Sequence, residues 1–227
     1  VRLLAEVLKT PSFPAKEFEE HKLAVIGRLE QSLPEPQPLA INALGRLTDA
    51  TAAGHVRHVG TLQEQLAANK NVKLEDIKAF YQEFYGANAA SFAAVGDFDA
   101  AALKTQLNEL FGNWKSKQTY SRIARTIKTT SAQKIVMDTP DKASSFLLAV
   151  HPIAIKDTAD DYPALIMADH MLGGGALRSR LADRIRQKEG LSYGVGSQLS
   201  VPSQDPASIW FAYALSAPQN TGKVEAA

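Results

Sequence analysis

The run Leu172-Gly173-Gly174-Gly175-Ala176-Leu177-Arg178-Ser179-Arg180-Leu181-Ala182-Asp183-Arg184-Ile185-Arg186-Gln187-Lys188-Glu189-Gly190-Leu191-Ser192-Tyr193-Gly194-Val195 reads in three pieces. Its start ends a helix over 162–172 that offers Leu165, Ile166 and Leu172 to a core, and the glycines stop that helix because glycine is a poor helix residue. The next piece places Leu177, Leu181 and Ile185 four apart, the helical spacing, and Gly190 closes it. The period then switches to two. Leu191, Tyr193, Val195 and Leu199 share one face of a strand over 191–199. The three glycines join two helices and no Gly-Lys-Ser/Thr follows, so they form no phosphate loop; a close backbone approach or a flexible joint explains them.

Outward from this run, further strands appear. Residues 208–216 put Ile209, Phe211, Tyr213 and Leu215 on one face, and 145–153 and 134–137 are rich in β-branched and aromatic residues around the turn Pro140-Asp141-Lys142. Towards the N-terminus the pattern is helical: Phe18, Leu23, Ile26 and Leu29 over 16–31, a second helix over 39–49 after Pro34, Pro36 and Pro38, and a third over 61–68. Leu74, Ile77, Phe80 or Tyr81 and Phe84 mark a helix closed by Gly86, where a residue free to take positive φ is usual. A short strand over 91–95 ends at Gly96, and Asp99 is placed to cap a helix carrying Leu103, Leu107, Leu110 and Phe111. Residues 113–133 hold Lys115, Lys117, Arg122, Arg125 and Lys128 with no acidic residue, and read as a linker. Aromatic interleaving there is limited to Trp114 and Tyr120, which argues against a nucleic-acid strip. The expected organisation is α+β: a mostly helical remainder of a first lobe over 1–112, a basic linker over 113–133 and a second lobe over 134–227.

Composition narrows the function. With 45% hydrophobic and 22% charged residues the chain is of the globular class, and 24.5 kDa predicts a folded surface of about 10,000 Å². Net charge is +1, too balanced to advertise a nucleic-acid partner. The absence of cysteine excludes a disulfide framework, a thiol nucleophile and a thiolate metal site. No apolar run approaches the roughly 20 residues that span a bilayer, so no membrane insertion is expected. The chain opens inside an apparent helix (Leu3, Leu4, Val7, Leu8) and stops at Lys223-Val224-Glu225-Ala226-Ala227 where another begins, which reads as a piece of a longer polypeptide.

The five histidines do not form a ligand pattern. His55 and His58 lie in a glycine-bounded turn with no acidic residue until Glu64 and read as structural or solvated; His21, His151 and His170 each stand apart. Neither H-E-x-x-H, its inverse H-x-x-E-H, nor G-x-S-x-G occurs.

The quoted run nevertheless resembles the C-terminal signature of the insulinase/pitrilysin family of zinc metallopeptidases, the inverzincins. The segment 80–99, with Phe84-Tyr85-Gly86-Ala87-Asn88 and Val95-Gly96-Asp97-Phe98-Asp99, is similar to the strand and flanking helices that close one family lobe, and Thr139-Pro140-Asp141-Lys142 resembles the start of the next. The likeness extends from about Phe13 onward. It implies lobes of antiparallel sheet with packed helices, of the type found in mitochondrial processing peptidase, here truncated at both ends. Family members close two homologous halves around an unfolded peptide, and only one half bears zinc. The helix over 18–29 resembles the family's ligand helix, but Gly27 stands about where its glutamate would be.

The resemblance therefore implies the non-catalytic half, with no cofactor of its own and zinc in a partner half, an unfolded peptide as substrate and no nucleic acid. It also implies site residues. Arg186 and Tyr193 match an arginine and tyrosine seven residues apart that reach the substrate at the metal, and Gly173, Gly174 and Gly175 fall in the substrate-binding segment. A phenol can donate to a developing oxyanion and a guanidinium can hold a peptide carbonyl. By periodicity alone Arg186 is a solvated residue of the last helical turn and Tyr193 is core.

Overall fold

A computed structural model describes residues 1–128, 130–175 and 178–227. In chain order the elements are α1 (Arg2–Lys9), α2 (Ala15–Ser32), α3 (Pro36–Thr48), α4 (Leu62–Asn71), α5 (Leu74–Phe84), α6 (Ala100–Phe111), β1 (Ser145–Ile153), α7 (Tyr162–Asp169), β2 (Ser192–Ser200), β3 (Ser208–Ser216) and α8 (Thr221–Ala226). Wider π-helical turns continue α7 over His170–Gly174 and precede β2 over Ala182–Lys188. Two compact units are present, one of Val1–Ile26 and Ala68–Ile123, the other of Gly27–Ala67 and Ala124–Ala227.

The first unit holds α1, α5, α6 and parts of α2 and α4. Tyr81 fastens α5 to α1, its hydroxyl donating to the Leu8 carbonyl at 2.7 Å and its ring meeting Phe13 edge-on at 5.4 Å. Lys9 Nζ donates to the Leu110 carbonyl and Lys22 Nζ to the Val72 carbonyl, both at 2.7 Å. These lysines cap helix ends whose carbonyls lack intrahelical partners.

The second unit is built on a three-stranded antiparallel sheet in the order β1-β3-β2. Ser145 pairs with Ser216 and Ile153 with Ser208, while β2 runs from Ser192 opposite Ser216 to Ser200 opposite Ile209. Strands β1 and β3 have the expected bounds, and β2 begins one residue later than expected. The bulky face of β3 turns towards α3, where Ile41 and Leu44 stand over Phe146, Leu148, Phe211 and Tyr213. The small face carries the core: Ile185, Leu191, Ala214 and Val224 are buried, with Leu147, Leu181 and Val195 packed on them. Leu177, expected beside Leu181, lies outside the described residues.

Four expectations are corrected. Residues 91–95 and 134–137 form no strand, because within the described residues no neighbour completes their backbone hydrogen bonds, and an unpaired strand is unstable in water. Gly86 does not adopt positive φ; Tyr85 ends α5 in an extended conformation, and Gly86 is needed because a Cβ there would lie 2.0 Å from the Ser116 nitrogen. The accessible surface is 15624 Å², about half as much again as a compact chain of this mass exposes. Much apolar side-chain area is left in water.

Candidate functional site

Helix α7 ends on Asp169, and its carboxylate joins three elements. Oδ1 accepts from Ser197 Oγ on β2 at 2.7 Å and from Trp210 Nε1 on β3 at 3.0 Å. These bonds draw the π-helical turn onto the sheet, and the glycines follow. A Cβ on Gly173 would stand 2.5 Å from both the backbone nitrogen and Oγ of Ser197, and one on Gly175 would stand 2.5 Å from the Arg178 carbonyl. None of Gly173, Gly174 and Gly175 takes positive φ, so close approach is the reason for the run. His151, Leu165, Leu172, Leu199 and Trp210 line an apolar groove of about 210 Å³ beside Asp169. His151 serves there as a wall.

Beyond this latch the chain turns into the sheet. Ile185 anchors the π-helical segment in the core, and Arg186 follows it half-buried, with its Nε covered and unpaired among the described residues. Gly190 takes φ +62, the one position in this run where backbone conformation requires glycine, and Leu191 N–H donates to the Ile185 carbonyl at 2.9 Å. The pairing then slips: Ser192 faces Ser216 and Gly194 faces Leu215, which leaves Tyr193 without an opposite number. This β-bulge breaks the alternation. Tyr193 is 67% exposed, so it is not core as periodicity alone reads it. No hydrogen bond joins Arg186 to Tyr193; they sit on either side of the Gly190 turn in one unit.

The glycine-bounded turn with His55 and His58 has a structural explanation. Asp49 at the end of α3 accepts from Thr51 N at 2.7 Å, Thr51 Oγ1 at 2.6 Å, Val59 N at 3.0 Å and His58 Nδ1 at 2.9 Å. Those bonds, the Thr51 hydroxyl first, hold its carboxyl far below the usual carboxylate range. His55 Nδ1 accepts from Arg57 N at 3.1 Å. Among the described residues no group of three or more His, Cys, Asp or Glu side chains could hold a metal ion, and no helix is long and apolar enough to cross a membrane. In the basic segment Lys117 pairs with Glu83 at 2.8 Å.

Asp49, Asp169 and Ser192 escaped the sequence reading. Asp49-Ala50-Thr51 carries an Asx-turn signal two residues apart that was there to find. Asp169 carries no local signal, since its partners come from strands distant in sequence, and Ser192 is bonded both to Gly194 two residues on and to Leu215 across the sheet.

The family described as "Peptidase M16 inactive domain" matches residues 71–227. The chain is 25% identical over 192 residues to the protein named "Non-peptidase homolog YmxG" of Helicobacter pylori, which covers 85% of this chain and 43% of that protein. In fold it is similar to a peptidase M16 inactive domain from Pseudomonas fluorescens (TM-score 0.67, 23% identity, 95% of this chain and 50% of that one). It is likewise similar to a protease from Helicobacter pylori (TM-score 0.74, 18% identity, 99% and 54%). The chain thus spans about half the length of these relatives.

Proposed function

The chain belongs to the peptidase M16 inactive-domain family, and on that premise we propose that it is the non-catalytic half of a zinc-dependent endopeptidase. It forms one wall of a peptide-binding chamber whose other wall is a homologous, zinc-bearing half. The lobes over 1–112 and 134–227, with the linker over 113–133, are the parts of that wall. Strand β2 has β3 on one side only among the described residues, so its outer edge offers unpaired backbone groups to an extended peptide by β-augmentation. Of the three glycines Gly174 is exposed and offers side-chain-free backbone to the same substrate, whereas Gly173 and Gly175 are buried against Ser197 and Arg178 and shape the segment that carries it.

The observation that carries this reading is the delivery of the Tyr193 hydroxyl to solvent by a bulge on an edge strand, where plain alternation would have buried it. In the assembled enzyme the Tyr193 phenol donates to the oxyanion of the tetrahedral intermediate, and the Arg186 guanidinium holds a peptide carbonyl. The partner half's zinc supplies the activated water and Lewis acidity. Alone, this chain hydrolyses nothing.

The test is kinetic, with the zinc half supplied. Tyr193→Phe is expected to lower kcat about 10²–10³-fold with little change in KM. Arg186→Ala is expected to lower kcat/KM, and the double variant to lose less than the product of the two. Full activity of Tyr193→Phe removes the chain from catalysis. Elemental analysis of the isolated chain provides a second check, since one tightly bound zinc per chain contradicts the assignment to the inactive half. A different reading, a catalytically silent structural or chaperone-like subunit, is favoured by the name of the Helicobacter pylori relative as a non-peptidase homologue. An H-x-x-E-H in the same reading frame or in an adjacent gene decides for the peptidase.

A further inference from the structure

Strand β2 opens with two residues facing one. In a regular ladder continued from Gly194 opposite Leu215, Tyr193 would stand opposite Ser216, and alternation would turn its ring to the face that carries Ala214 and Val195. The side chain that prevents this is buried. Ser192 Oγ lies 2.7 Å from the Leu215 carbonyl and 3.0 Å from the Gly194 carbonyl, and it accepts from Gly194 N–H at 3.2 Å. One hydroxyl thus reaches past the extra residue to the backbone of Gly194 and across to that of Leu215 on the facing strand. The N-terminal flank is also tied, through the Leu191 N–H bond to the Ile185 carbonyl and the Leu191 side chain in the core.

We infer that Ser192 is a positioning residue, whose hydroxyl replaces the ladder bonds that the bulge breaks and thereby holds the Tyr193 phenol out of the sheet. Serine suits the task because its hydroxyl donates one hydrogen bond and accepts two in a volume that this buried site admits. Bulges at strand ends commonly re-aim a side chain in this way. The functional meaning of the device rests on the reading that Tyr193 meets a substrate, whereas its geometry does not.

Nitration by tetranitromethane, followed residue by residue in the full chain by peptide mass spectrometry, reads the access of the Tyr193 phenol. Tyr120, 68% exposed, serves as the internal standard. In Ser192→Ala the Tyr193 rate relative to Tyr120 is expected to fall about fivefold, the population change that one net hydrogen bond supports. An unchanged ratio in the folded variant overturns the inference. Deleting Tyr193 provides the second arm. The shortened strand needs no bridge, so Ser192→Ala is expected to lower the melting temperature less in the deletion background than in the intact chain, and equal or greater losses overturn the inference. Turnover of Tyr193→Phe with the zinc half separates the two readings. If nitration responds and turnover does not, Ser192 still positions Tyr193 but Tyr193 has no catalytic part; if turnover falls and nitration does not respond, the positioning role alone is lost.

Discussion

The two units carry similar apolar patterning and bury very different amounts of it. In the sheet-containing unit Leu62, Ala182, Ile185, Leu191, Ala207, Ala214 and Val224 are buried, whereas among the described residues of the other unit Ala5 is the buried hydrophobic residue. Helix α5 shows the contrast within one element. Tyr81 is fastened to α1, yet Ile77, Phe80 and Phe84 on the same apolar stripe are left in water, with Phe80 56% exposed and stacked on Phe84. Phe92, Val95 and Phe98 are exposed as well. The difference teaches that an amphipathic helix only makes a core when a second layer faces it, and here the described strands all lie in one unit.

The sharpest way to break this comparison is to cut into the finished core. Ile185→Ala is expected to cost about 2–5 kcal/mol in thermal or denaturant unfolding, because it leaves a cavity among Leu191, Ala214 and Val224. A loss under about 1 kcal/mol would mean that this core is no better packed than the other unit.

A second probe is acid. Asp49 has an ordinary pKa of 3.8 that its hydrogen bonds lower in the fold. Its contribution to stability is therefore complete above the unfolded value and is lost as pH falls through the folded one. Asp49→Asn is expected to melt below the parent at neutral pH, and the gap to narrow only below about pH 4. A gap that is constant across that range removes the carboxylate charge from the account.

Helix starts sharpen the comparison further. Helix α4 opens with a complete capping box, Thr61 N donating to Glu64 Oε2 at 2.7 Å and Glu64 N to Thr61 Oγ1 at 3.1 Å. Helix α5 has half of one: Lys73 N donates to Asp76 Oδ2 at 2.8 Å, but an ammonium has no lone pair to return the bond. Lys73→Thr is expected to stabilise by about 0.5–1 kcal/mol in thermal melts, and an unchanged or lower melting temperature would show that the cap does not limit this helix. The smallest effect belongs to the open face. Phe80→Ser is expected to change stability by no more than about 0.5 kcal/mol while lowering self-association in light scattering. A large loss of stability would show that Phe80 already belongs to a core.

Much of this was legible from residues. The bounds of β1 and β3, the helices around Phe18, Ile77 and Leu107, the Asp99 cap with bonds to Ala101 N and Ala102 N, and the turn at Gly190 all rest on local periodicity and local hydrogen bonding. Arg186, Tyr193 and the glycine run stood out through family resemblance, and the structure then supplied a different reason for the glycines: Ser197 leaves no room for a Cβ on Gly173.

Tertiary structure decided the rest, because each remaining question turned on a partner distant in sequence. Residues 91–95 have strand composition, yet a strand exists only when another strand takes up its N–H and C=O groups. Gly86 has the place of a helix-ending glycine, yet what requires it is the passage of Ser116. Tyr193 has the spacing of a core residue, yet one slipped pair against Leu215 turns it outward. A sequence by itself determines the period of its side chains; which way a strand's period faces is set by register, and register is a property of two strands together.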